Sequence, residues 1–96
     1  MRVRITAAAA AELAEAVAWY KAHAPEQGGR FVDEFEALIA RLVENPRQFP
    51  IARGDARRAG FRRFPYGLFF RVQGEFVQVF ACFHGNRDPR RWHERT

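Results

Sequence analysis

Arginine and aromatic side chains interleave along Arg62-Arg63-Phe64-Pro65-Tyr66-Gly67-Leu68-Phe69-Phe70-Arg71-Val72, and again along His84-Gly85-Asn86-Arg87-Asp88-Pro89-Arg90-Arg91-Trp92. A guanidinium is a permanently charged, planar fork that pairs with phosphate or carboxylate through two hydrogen bonds at once. Arg62, Arg63, Arg71 and Arg87 could therefore neutralise a nucleic-acid backbone or hold an acidic protein segment. They could also stabilise the charge that develops as a phosphodiester is cut. In that last case His84 would move the proton, because imidazole titrates near neutral pH. Its plainer role is a ring hydrogen-bonded to backbone where a strand exits. Asp88 before Pro89 reads as turn chemistry, accepting from local amides or pairing with Arg87 or Arg90.

The aromatics are open to several readings. Phe69, Phe76 and Phe80 resemble a platform on which bases stack. A second core layer, or a groove filled by a partner's helix, accounts for them equally well. Trp92 in the arginine-rich tail either anchors a partner or packs back on the domain. Trp19 beside Tyr20 is expected to be partly buried. Other chemistry has little support. His23, His84 and His93 are scattered, and Cys82 with His84 makes too few ligands for zinc. No glycine-rich phosphate loop or nucleophile elbow is present, so neither metal nor cofactor is expected.

These groups need a scaffold, and 96 residues with 48% hydrophobic side chains fit one domain, 1–96, near the lower end of self-supporting size. Ten phenylalanines allow an aromatic core. No apolar run approaches the roughly 20 residues of a membrane span. A lone cysteine and no secretory signal fit the reducing cytoplasm. The net charge of +5 is unevenly placed: from Arg53 onward ten arginines stand against four acids, whereas residues 1–52 hold six basic and seven acidic residues. One basic face follows from this, with affinity for phosphates or an acidic partner.

The periodicities give an α+β order. Arg2–Thr6 alternates as a short half-buried strand, and Thr6 can cap a helix from Ala7 to about His23. Leu13, Ala16, Val17, Tyr20 and Ala24 form its apolar stripe. A second helix starts at Pro25 or, if Gly28-Gly29 are loop, at Arg30. Phe31, Phe35, Leu38 and Leu42 make its buried stripe, and Pro46 ends it near Asn45. Truncating Phe35 should then unfold the domain. Residues 46–55 read as loop and 56–64 as a strand. A hairpin of 66–72 and 76–84 turns around Gln73-Gly74. That register sets Phe70 opposite Val77, Leu68 opposite Val79 and Tyr66 opposite Ala81, all toward the helices. Phe69, Arg71, Phe76, Gln78 and Phe80 face away.

The wording of residues 62–92, arginine-Phe-Pro-Tyr, a turn, then His-Gly-x-Arg-Asp-Pro and Trp, resembles the RelE/ParE toxins of bacterial type II toxin–antitoxin modules, and the element order resembles them over the whole chain. The resemblance implies a helical hairpin on a small, mainly antiparallel sheet, a cytoplasmic setting, and a cognate acidic antitoxin that wraps the toxin. RelE-like members cut mRNA on the ribosome without metal; ParE-like members poison DNA gyrase. Gly67 stands where RelE-like chains often carry arginine, and no tyrosine follows Asp88, so the likeness is to the ParE and plasmid-stabilisation group. Arg62, Arg63, Tyr66, Phe69, Arg71, Phe76, Phe80, Arg87, Arg90, Arg91 and Trp92 become the expected target- or antitoxin-binding residues. The alternative is a ribosome-dependent mRNA endonuclease using Arg63, Arg71, His84 and Arg87; a third reading is a non-toxic nucleic-acid-binding module.

Overall fold

Thr6 ends the first strand and starts the first helix. Its N–H donates to the Val79 carbonyl at 3.0 Å, and its hydroxyl accepts from the Ala9 N–H at 3.2 Å, the arrangement that satisfies an otherwise unpaired helix donor. In the computed structural model, which describes residues 1–85, the order is β1 (Arg2–Ile5), α1 (Ala7–His23), α2 (Pro25–Glu44), β2 (Ile51–Arg53), β3 (Ala56–Gly60), β4 (Tyr66–Gln73) and β5 (Phe76–His84). A 3-10 turn occupies Pro46–Gln48.

The two helices form the expected hairpin. Pro25 opens α2, where its missing N–H costs nothing and Glu26 complements the helix dipole. Gly28 lies inside α2, not in a loop, because α1 passes too close for a side chain: a Cβ there would come 2.5 Å from Lys21 Cγ. The α1 face is built from Ala9 and Ala16, both buried, with Leu13, Val17 and Tyr20 packed against the core.

The sheet has five strands in the order β1-β5-β4-β3-β2, with β1 parallel to β5 and the other pairs antiparallel. Phe31, Leu42, Leu68, Phe70, Val77 and Val79 are the largest fully buried side chains and lie between helices and sheet. Each such burial contributes about 1.5–3 kcal/mol before the entropy of ordering is subtracted. Phe31 is the hub of an aromatic cluster, with ring centroids 4.6 Å from Phe61, 5.0 Å from Phe64, 5.3 Å from Tyr66 and 5.4 Å from Tyr20.

Four sequence expectations need correction. The hairpin turn is Gly74-Glu75, with Gly74 at φ +60° and Gln73 already paired to Phe76. Val72 therefore faces Val77, Phe70 faces Val79, Leu68 faces Cys82 and Tyr66 faces His84. A bulge between Phe69 and Phe70 leaves Phe80 as the extra residue on β5, which reverses the alternation beyond it. Cys82 consequently joins the helix-side core, whereas Ala81 joins Ala56, Phe69, Phe80 and Phe83 on the outer face. The third strand stops at Gly60: Phe61 and Phe64, three apart, both turn into the helix-side core, and the Phe61 N–H closes the turn on the Tyr66 carbonyl at 2.9 Å. The loop before it contains β2, an edge strand exposed at all three positions. Finally, Trp19 is 53% exposed and stacks on His23 at 4.3 Å, so it is not core.

Candidate functional site

The outer face of the sheet carries arginines on an aromatic floor. Alternation along β1, β5 and β4 sets Arg4, Gln78 and Arg71 in one row across three strands. The Arg4 guanidinium lies 3.5 Å from the centre of the Phe76 ring, and that of Arg71 lies 4.9 Å from Phe80. Such stacking holds a cation by the ring quadrupole while leaving its edge for an anion. Arg71 Nε is buried without a hydrogen-bond acceptor among the described residues; Asp55 Oδ1 stands 3.6 Å away. Arg58 completes the set from β3. Gly60 and Gly67 pair across β3 and β4, and a Cβ on either would come within 2.7 Å of the Arg58 guanidinium, so this side chain fills the space the glycines leave.

Sequence reasoning missed Arg4 and Arg58. Alternation of Val3 and Ile5 with Arg2 and Arg4 along β1 was a signal for Arg4, whereas Arg58 follows only from the β3–β4 register. Sequence reasoning did find Phe69, Phe76 and Phe80 on this face, but Phe69 and Phe80 are only 7% and 5% exposed, and Phe76 lies under Arg4. Phe69 and Phe80 are thus buried, and one side of Phe76 is taken by Arg4.

Arg62 and Arg63 lie elsewhere. Both backbone N–H groups donate to Glu34 Oε1 of α2, that of Arg63 at 3.1 Å. The carboxylate thereby pins the turn 61–65 against the helix, and both side chains remain exposed. Between this turn and α2 opens a cleft of about 320 Å³, lined by Glu34, Ala37, Leu38, Arg41, Arg62 and Arg63. Arg41 is held from behind: its guanidinium stacks 4.8 Å from the Phe49 ring centre and donates to Gln48 Oε1 at 3.2 Å.

His84 and Arg71 are not brought together. His84 pairs with Tyr66, against whose ring it packs edge-on at 5.2 Å, on the helix side of the sheet. Arg71 is five residues further along β4, about 17 Å at strand rise, and points to the opposite side. Arg87, Arg90, Arg91 and Trp92 lie outside the described residues.

A third feature is apolar. Along the hairpin's outward side a groove of about 460 Å³ is lined by Ile5, Leu13, Ala14, Val17, Ala18 and Phe35, with Lys21 at its rim. Phe35 is only half-buried for this reason, so the unfolding expected of its truncation does not follow. Among the described residues no His, Cys, Asp or Glu cluster could hold a metal ion, and no helix is long and apolar enough to cross a membrane.

The family model described as the ParE toxin of the type II toxin–antitoxin system parDE matches residues 3–89. The chain belongs to the ParE toxin family. A solved structure entitled "Chromosomal ParDE TA system from P. aeruginosa" superposes with a TM-score of 0.76 at 24% identity, over 88% of this chain and 95% of that one. At that identity the likeness establishes the toxin's fold. Comparison with curated proteins gives no match. The membership agrees with the resemblance carried by residues 62–92, and with the helical hairpin on a mainly antiparallel sheet.

Proposed function

We propose that this ParE toxin arrests growth by binding DNA gyrase rather than by chemistry of its own, acting in the cytoplasm until a cognate acidic antitoxin neutralises it. The observation that carries the reading is the separation of Arg71 from His84. Cutting RNA without a metal requires a base, an acid and a phosphate-binding cation each within hydrogen-bond reach of one phosphodiester. About 17 Å along the strand, and opposite faces of the sheet, keep these two apart. With this pair apart among the described residues, action by occupying a target is the reading adopted here.

The antitoxin half of the reading rests on surface chemistry. The groove along α1 and α2 is apolar with one lysine at its rim, which suits the apolar stripe of a partner helix with acid on its flank. The structural relative comes from a ParDE toxin–antitoxin system, and the same pairing is proposed here.

The test is a cleavage assay in vitro. Purified toxin added to gyrase and supercoiled plasmid should convert plasmid to linear DNA after detergent and protease treatment, and should leave message intact in a translating extract. Cut message with no trapped gyrase complex would reverse the assignment.

A further inference from the structure

The cleft between α2 and the turn 61–65 has no part in the gyrase reading, and its chemistry is specific. Two of its guanidiniums, Arg62 and Arg63, are carried on a turn fixed by Glu34, and the third, Arg41, is fixed by Phe49 and Gln48. The Arg41 guanidinium is positioned in advance and loses little freedom on binding, while Glu34 fixes the backbone that presents Arg62 and Arg63. Ala37 and Leu38 give the same cleft an apolar wall. The one carboxylate present, Glu34, is already engaged by two backbone amides.

We infer that this cleft is the docking point for an acidic peptide segment, taking a carboxylate between Arg41 and Arg62 and a neighbouring apolar side chain against Ala37 and Leu38. It deepens the toxin–antitoxin reading and rests on it for the source of the segment. A nucleic-acid backbone fits less well. Its phosphates repeat along an extended line and carry no apolar group for the wall, and they would meet Glu34 at the rim. A helical peptide can carry one carboxylate and one methyl-bearing group about 5–6 Å apart on adjacent turns, and the cleft is lined by both arginines and apolar side chains. Charge complementarity decides the occupant: three arginines against one carboxylate select an acidic segment.

The experiment uses the whole toxin and a dye-labelled synthetic peptide in which glutamate pairs alternate with leucine pairs, followed by fluorescence anisotropy at low salt. Arg41→Gln with Arg62→Gln should weaken binding about tenfold, and the charge-matched control Arg2→Gln with Arg47→Gln by less than about threefold. Arg62→Gln alone is a second variant, since that side chain is exposed and its loss leaves the fold intact. Failure of the wild type to bind the peptide, or equal loss in cleft and control variants, overturns the proposal. So does cleft-dependent binding of random-sequence duplex DNA with no cleft-dependent binding of the peptide. A toxin that still arrests growth, and is still released by its co-encoded antitoxin, while failing these tests would lose the cleft and keep the family function.

Discussion

Arg71 is the residue at which binding and stability separate most cleanly. Its side chain is 15% exposed, yet its ion-pair partner Asp55 is 74% exposed, so that pair is screened and contributes little. The stack on Phe80 is worth about 0.5–1 kcal/mol. Arg71→Ala should therefore cost about 1 kcal/mol and lower Tm by about 4–8 °C in a domain of this size. Its effect on growth arrest should be far larger if the outer face meets the target. Full toxicity in a folded Arg71→Ala protein would remove that face from the mechanism. Cys82 behaves in the opposite way, as a purely structural group. Burial, and secondarily the charge of Glu12, pushes its thiol from 9.0 up to about 12. Glu12 is there because its Oε1 accepts the Cys82 N–H at 3.0 Å. The unfolded thiol loses its proton first, so the stability it confers is complete below about pH 9 and is lost as pH rises toward 12. By about pH 10 the loss should reach roughly 1.4 kcal/mol. Burial raises the Tyr20 hydroxyl as well, so the measurement is a comparison: melting against pH for wild type and Cys82→Ala. Parallel curves would mean that the thiol is not shielded. No sequence pattern announced Cys82 as core, because the bulge at Phe80 that turns it inward has no residue signature.

At the scale of elements, the helices were legible and the strand register was not. Thr6, Pro25 and Pro46 are chemical punctuation, each fixing a backbone donor or a dihedral; Thr6 and Pro46 marked their helix ends, and of the two starts open for the second helix, Pro25 and Arg30, the structure has Pro25. Register depends on which two residues occupy a turn and on whether a strand bulges. Gly74 tolerates positive φ at either central position of the turn, so Gln73-Gly74 and Gly74-Glu75 were equivalent choices on the chain. β2 is exposed throughout and shows no alternation to read. The same limit applies to the α2 stripe, where Phe31 and Phe35 have equal standing by spacing. Packing separates them: Phe31 is 0% exposed within four aromatic contacts, and Phe35 is half-buried beside the open groove. Phe31→Ala should thus cost about 3–5 kcal/mol, enough to unfold a domain of marginal stability. Phe35→Ala should cost less than half as much, and its main effect should be weaker antitoxin binding. Urea denaturation of the two variants decides the ranking. Equal losses would mean that the groove closes over Phe35 in solution.

Across the whole molecule, the charge is carried where the core is not. Among the described residues no charged side chain is fully buried, and the arginines named above are distributed over the outer face, the turn 61–65 and α2. Two cationic surfaces on opposite sides of one small sheet can engage two acidic partners in turn. That arrangement suits a toxin whose antitoxin and target need not compete for every contact. Inducible expression in a bacterium, with DNA synthesis, protein synthesis and the DNA-damage response followed together, reads out the target. A gyrase poison leaves broken, protein-bound DNA, so thymidine incorporation should fall first and damage signalling should rise before leucine incorporation changes. The order matters more than the final arrest, because growth ends in both cases. If leucine incorporation falls first and messages are cut, the set Arg63, Arg71, His84 and Arg87 takes over, and Arg71 and His84 must then act despite their separation. The Arg41→Gln, Arg62→Gln variant sharpens the result. If the cleft serves the antitoxin and the outer face the target, the variant should keep the order of events in cells lacking antitoxin yet be neutralised less well when antitoxin is co-expressed.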